Sequence, residues 1–158
     1  MTVSNSRPFF RLIDCVQIPV PNLQDGIDFY GKGLGHSLIW RTTEAAGFRL
    51  PDSASELVIY TQNRGVEIDW LVDSVEAAVH KWLELGATIV AGPFDIKIGR
   101  CAVLHDPWGN ELVVLDCSKG VLDTDSEGYV TGVKPRDQIL HSNIGNNRMA
   151  LEKLKEHD

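Results

Sequence analysis

Long apolar runs are missing. No stretch approaches the ~20 residues that a membrane-spanning helix needs, so no membrane partner is expected. Cysteine is scarce: Cys15, Cys101 and Cys117 make up the whole complement. None stands in a Cys-x-x-Cys pair, which excludes zinc-knuckle and thioredoxin-type patterns. An odd count of this kind reads as reduced thiols, each a small buried hydrophobe in a strand-like run. Basic residues are also in short supply, with 15 Lys and Arg against 22 Asp and Glu and a net charge of -7. A phosphate backbone requires clustered Lys and Arg, so no nucleic-acid partner is expected. The opening residues, MTVSNSRPFF, carry neither a basic flank nor an apolar signal core. The expectation is no export signal and a cytoplasmic location.

What is present is a repeat. VPNLQDGIDFYGKGLG (20–35) and VDSVEAAVHKWLELG (72–86) align nearly end to end. Val20 matches Val72, Leu23 matches Val75, Ile27 matches Val79 and Tyr30 matches Trp82. The copies close alike, in ELVIYT (56–61) and ELVVLD (111–116). A repeat of roughly fifty residues with a strand–helix–strands pattern implies two fused modules, with a site at their seam.

The strands follow from period-two alternation. Residues 12–20 form a first strand with Val16, Ile18 and Val20 on one face and Cys15 and Gln17 on the other. Asn22 caps the helix that follows, and Leu23, Ile27 and Tyr30 form its apolar stripe until Gly33 and Gly35 stop it. Strands over 37–42, 45–50 and 55–61 complete module one, about 12–61. Module two, about 66–117, opens with strand 66–72, in which Ile68 and Trp70 face the helices and Glu67 and Asp69 face away. Asp73 or Ser74 caps its helix, which Gly86 ends. Strands near 87–92, 98–105 and 111–117 follow, the last two joined by the turn DPWGN (106–110). Trp70, Trp82, Phe29 and Tyr30 have core spacing, whereas Trp108 sits at a turn tip. The remainder, 118–158, is a polar, turn-rich extension whose last residues, NNRMALEKLKEHD, have the makings of one short helix.

The order "strand, Val-Pro-Asn-Leu, helix ending Phe-Tyr, Gly-Leu-Gly", closed by DPWGNELVVLD, resembles the vicinal oxygen chelate superfamily. That superfamily holds glyoxalases, extradiol dioxygenases and bleomycin-resistance proteins. The resemblance covers about 12–117, and residues 1–117 are read as one domain. It implies an α+β fold of two tandem βαβββ modules whose curled mixed sheets form a cupped cavity, with helices outside, usually in a homodimer.

In metal-dependent members of that superfamily, four cavity-facing positions ligate a divalent ion. The matching positions here are Cys15, Val58, Glu67 and Val113. Valine has no donor atom, and catalytic zinc normally takes three protein ligands. The chain therefore resembles the metal-free members more closely, and neither metal nor cofactor is expected. A two-residue slip on the closing strands would bring Glu56 and Glu111 to those positions instead. The expected ligand-lining residues are Cys15, Gln17, Trp40, Val58, Tyr60, Glu67, Asp69, Val113 and Leu115. Glu67 and Asp69 are costly to bury together unless paired, and Arg49 or Arg100 is the expected counter-charge. Two functions follow. One is a bleomycin-resistance-like cup that holds, and so sequesters, a small organic molecule. The other is a divergent lyase, isomerase or dioxygenase with an unusual metal set or with acid–base work by Glu67 and Asp69. The catalytic residues stay unknown at this stage, and so does whether the chain is an enzyme.

Overall fold

Two copies of one strand–helix–three-strand unit lie side by side in a single eight-stranded mixed sheet, in the computed structural model, which describes residues 7–136. The first copy is β1 (Leu12–Pro19), α1 (Leu23–Ile27), β2 (Leu38–Arg41), β3 (Ala45–Arg49) and β4 (Glu56–Tyr60). The second is β5 (Glu67–Leu71), α2 (Val75–Glu84), β6 (Thr88–Ile96), β7 (Gly99–His105) and β8 (Glu111–Leu115). The strand order is β2-β3-β4-β1-β5-β8-β7-β6. In each copy the first and last strands pair in parallel, β1 with β4 and β5 with β8. The copies join within one chain through antiparallel β1 and β5, where Val16 lies opposite Ile68, Cys15 opposite Asp69 and Gln17 opposite Glu67. The repeat read in the sequence is thus a pseudo-twofold about Val16 and Ile68.

The caps form as the side chains dictate. Asn22 Oδ1 accepts from Asp25 N at 2.9 Å, and Ser74, rather than Asp73, accepts from Ala77 N at 3.2 Å. Past Ile27 the first helix widens into a π-helical turn, Asp28–Gly33, with Leu34 N donating to Phe29 O at 2.9 Å. Phe29 lies on its outer face, 58 % exposed, which corrects the core placement expected for it. Tyr30 stays inward, its ring 6.2 Å from Phe48.

Each helix seals its own core. Leu23, Ala46, Phe48 and Ile59 pack under α1, while Val72, Val75, Ala78, Val79, Ala102, Leu104 and Val114 pack under α2. Full burial of side chains such as Phe48 supplies the driving force, since emptying such a site costs about 3–5 kcal/mol. Trp70 and Trp82 flank the second core, with Phe10 at 4.4 and 5.1 Å. Ile68, expected to pack on a helix, is 43 % exposed. The helices make their main sheet contacts with β3–β4 and β6–β7.

On the opposite face of module two, Cys101, Val113 and Leu115 pack with Leu71, Ile96, Ile98 and Val103 into a third apolar cluster. Beyond β8 the extension forms a hairpin, β9 (Val121–Thr124) and β10 (Val130–Lys134), which its polar composition did not predict. The short helix expected near the end of the chain lies outside the described residues. Among the described residues no helix is long and apolar enough to cross a membrane.

Candidate functional site

The join between the modules carries a carboxylate cluster. Because β1 and β5 run antiparallel, their side chains of one parity emerge together on the face away from the helices. Gln17 Nε2 donates to Asp69 Oδ2 at 2.8 Å and to Glu67 Oε1 at 3.2 Å. The Cys15 thiol donates to the same Asp69 oxygen at 3.4 Å. Asp69 is 5 % exposed, and its other oxygen, Oδ1, is buried without a hydrogen-bond partner. The counter-charge is Arg64, from the loop between β4 and β5, which corrects the expectation of Arg49 or Arg100. Its guanidinium bonds Glu67, donates to Gln17 Oε1 at 3.1 Å, and lies 4.4 Å above the Tyr60 ring. Tyr60 in turn holds that loop, donating to Arg64 O at 2.8 Å. Arg100 is committed elsewhere, to Glu76 at 2.7 Å and Asp95 at 3.3 Å.

Burial, the hydrogen bond with Asp69 and its negative charge push Glu67 up to about 7, against the opposing pull of Arg64. Burial, then the charges of Asp69 and Asp14, raise Cys15 far above the usual thiol range, so it stays protonated. Burial and the neighbouring carboxylates push Cys101 up to about 12.

Beside the cluster, on the concave face of module one, lies a cavity of about 470 Å³. Cys15, Trp40 and Val58 line it, together with Asp14, Arg49 and Glu56 from the same sheet. Ile98 and Cys117 form one side, and Val121, Leu122, Thr124 and Lys134 of the hairpin form the wall opposite the sheet. Trp40 Nε1 donates to Glu56 Oε2 at 2.9 Å, which fixes the indole at the wall. Trp40 also lies over Gly47, where a Cβ would stand 2.1 Å from Nε1, so only glycine there lets the ring lie down on the sheet. Burial, then the charge of Glu56, push Asp14 up to about 6. Burial likewise raises Glu56, offset by the Trp40 hydrogen bond and by Arg49.

The nine residues expected from the sequence therefore fall in three places. Cys15, Trp40 and Val58 line the cavity. Gln17, Tyr60, Glu67 and Asp69 make up the join cluster with Arg64. Val113 and Leu115 lie in the apolar cluster of module two. Asp14, Glu56 and Arg49 were not expected among the lining residues, although Glu56 and Arg49 were singled out for other roles. Glu56 shares the parity of Val58 and Tyr60, and that parity was a usable signal. Asp14 had none, because an irregularity in the β1–β5 register between Ile13 and Cys15 breaks the alternation.

The four positions where metal-dependent relatives carry ligands hold Cys15, Val58, Glu67 and Val113. The register sets Val58 beside Gln17 and Val113 beside Asp69, while Glu56 stands beside Cys15 and Glu111 beside His105. Two of the four positions offer only carbon, which leaves Cys15 and Glu67 as donors, one short of a catalytic three-ligand site. Among the described residues no group of three His, Cys, Asp or Glu side chains converges to hold an ion.

Residues 15–115 match the family model described as a glyoxalase-like domain. No curated protein matches the chain. Several solved structures share its fold. Methylmalonyl-CoA epimerase from Mycobacterium tuberculosis is 17 % identical with a TM-score of 0.62, over 72 % of this chain and 92 % of that one. NAD-dependent benzaldehyde dehydrogenase from Legionella pneumophila is 21 % identical with a TM-score of 0.55, over 66 % of this chain and 98 % of that one. The Mn(II)-bound glyoxalase from Novosphingobium aromaticivorans is 17 % identical with a TM-score of 0.53, over 68 % of this chain and 39 % of that one. At such identities the likeness is one of fold.

Proposed function

This chain belongs to the glyoxalase-like family of the vicinal oxygen chelate superfamily, and on that premise we propose that it binds a small organic molecule in the module-one cavity without a metal, and so sequesters it. The cavity itself carries this reading. Its volume of about 470 Å³ is ordinary for a ligand site, and its lining is the usual mixture of apolar wall and few oriented polar groups. Trp40, Ile39, Val58 and Leu122 supply the apolar contact, and Glu56, Asp14 and Arg49 orient the ligand. The homodimer and the cytoplasmic location expected from the sequence belong to this same proposal.

The test is a thermal-stabilisation screen of small organic molecules, aromatic cations first, run in parallel with a chelator and with added zinc or manganese. A hit whose stabilisation is the same in both arms and vanishes in Trp40→Ala supports the reading. Stabilisation that requires the metal overturns it.

The cluster at the join favours a second reading, in which the chain is a divergent lyase or isomerase. Glu67 sits near 7, beside a carboxylate with an unpartnered buried oxygen, and a group so poised is suited to move a proton. Deuterium appearing in a bound hit in heavy water, and absent with Glu67→Gln, would establish that activity.

A further inference from the structure

The β9–β10 hairpin lies outside the part of the chain that the family accounts for. The family match ends at residue 115. The M. tuberculosis structure is covered to 92 % by 72 % of this chain, so this chain is the longer of the two. The hairpin is fastened at both ends across the concave face. At its start, Lys119 N donates to Ile98 O at 2.9 Å, on module two. At its tip, Arg41 N, on the outer strand of module one, donates to Gly128 O at 2.8 Å, and the Arg41 guanidinium stacks 4.8 Å from the Tyr129 ring. The tip is itself rigid: Asp125 Oδ1 accepts from Glu127 N at 2.9 Å and Tyr129 N at 3.0 Å. The root admits only glycine at position 120, where φ is +132° and a Cβ would stand 2.2 Å from Lys134 O. Between these anchors Val121, Leu122 and Thr124 of β9 form cavity wall.

We propose that the hairpin is the specificity-determining wall of this cavity, with Leu122 and Thr124 limiting the ligand to a compact, one- or two-ring molecule that carries a hydrogen-bond donor for Glu56 or Asp14. The proposal rests on the cavity reading given above and adds what the cavity admits. An appended wall pinned at both ends cannot swing aside without breaking backbone hydrogen bonds, so ligand size is set by the side chains it presents rather than by opening.

The test uses three probes with one hydroxyl donor and increasing size: benzyl alcohol, naphthalenemethanol and anthracenemethanol. Their binding to the full chain is measured by calorimetry. Wild type is expected to bind the first two and to reject the third. Leu122→Ala should raise affinity for the three-ring probe about tenfold relative to the one-ring probe, the scale on which a few methylene groups of pocket wall discriminate. Thr124→Trp, which adds bulk to the same wall, should weaken all three. An unchanged ratio among the probes in both variants, with binding still abolished by Trp40→Ala, overturns the wall inference while leaving the cavity reading intact. Failure of every probe with both wild type and Leu122→Ala also overturns it, and the cavity reading is then decided by its own screen.

Discussion

Gln17 and Asp69 meet across the join between the two halves of the chain, with Gln17 Nε2 donating to Asp69 Oδ2 at 2.8 Å. Gln17 is the neutral donor that lets Glu67 and Asp69 share one patch of sheet. Gln17→Glu would put a third carboxylate there and remove that donor. It is expected to cost about 2–3 kcal/mol near pH 8, read as a lowered urea midpoint, with a smaller loss near pH 5 as Glu67 takes up a proton.

The pH dependence of stability has a definite sign at Glu67 in the join and at Asp14 in the cavity. Glu67 is raised from 4.5 to about 7 and Asp14 from 3.8 to about 6. The folded protein therefore holds protons that the unfolded chain has released. That stability is complete below the unfolded values and is lost as pH rises through about 6 and about 7. The unfolding free energy of wild type should fall across this window, and Glu67→Gln should flatten the upper part of the fall. A Glu67→Gln profile as steep as that of wild type would refute the assignment.

Arg64 is half-exposed, so its removal should cost less than breaking a fully buried pair. Arg64→Ala is expected to lose about 1–2 kcal/mol. A double-mutant cycle with Glu67→Gln should return a coupling that is present near pH 8 and largely gone near pH 5, where Glu67 is neutral in either background.

Asp116 is a buried carboxylate that no motif pointed to. Its Oδ2 accepts from Val75 N at 2.9 Å, at the start of α2, and its Oδ1 accepts from Arg100 N at 3.0 Å and Ser118 N at 3.1 Å. Burial works to raise it, but these amide bonds outweigh burial and hold it below the usual carboxylate range. Its contribution is present above the unfolded value and lost as pH falls through the lowered one. Asp116→Asn should cost about 1–3 kcal/mol at neutral pH and lessen the sensitivity of the protein to acid, both read from denaturant titrations.

Much of the fold was legible because it rests on periodicities that sequence displays. Val16 and Ile18 against Cys15 and Gln17 gave the first strand and its faces, and the match of Val20 to Val72 gave the repeat that the Val16–Ile68 pairing makes physical. Asn22 and Ser74 were readable as caps because capping is local. The site was less legible, because its key contacts join residues far apart in the chain. Arg64 reaches Glu67 only because Tyr60 pins the intervening loop. Asp14 turns to the cavity only because the pairing of β1 slips beside it. The hairpin was missed because Val121, Leu122, Val130 and Val133 are too few and too scattered to read as strands unless the sheet they cover is known.

The apolar cluster in module two has a consequence for counting. Leu71, Ile96, Ile98 and Val103 pack against buried Cys101, Val113 and Leu115 in an apolar cluster of module two, the counterpart of the half that lines the cavity. Among the described residues, the first half of this duplicated architecture keeps a vacancy where the second presents its own apolar side chains. A titration of this protein should saturate at one equivalent per chain, as a simple hyperbola, despite an ancestry written in twos.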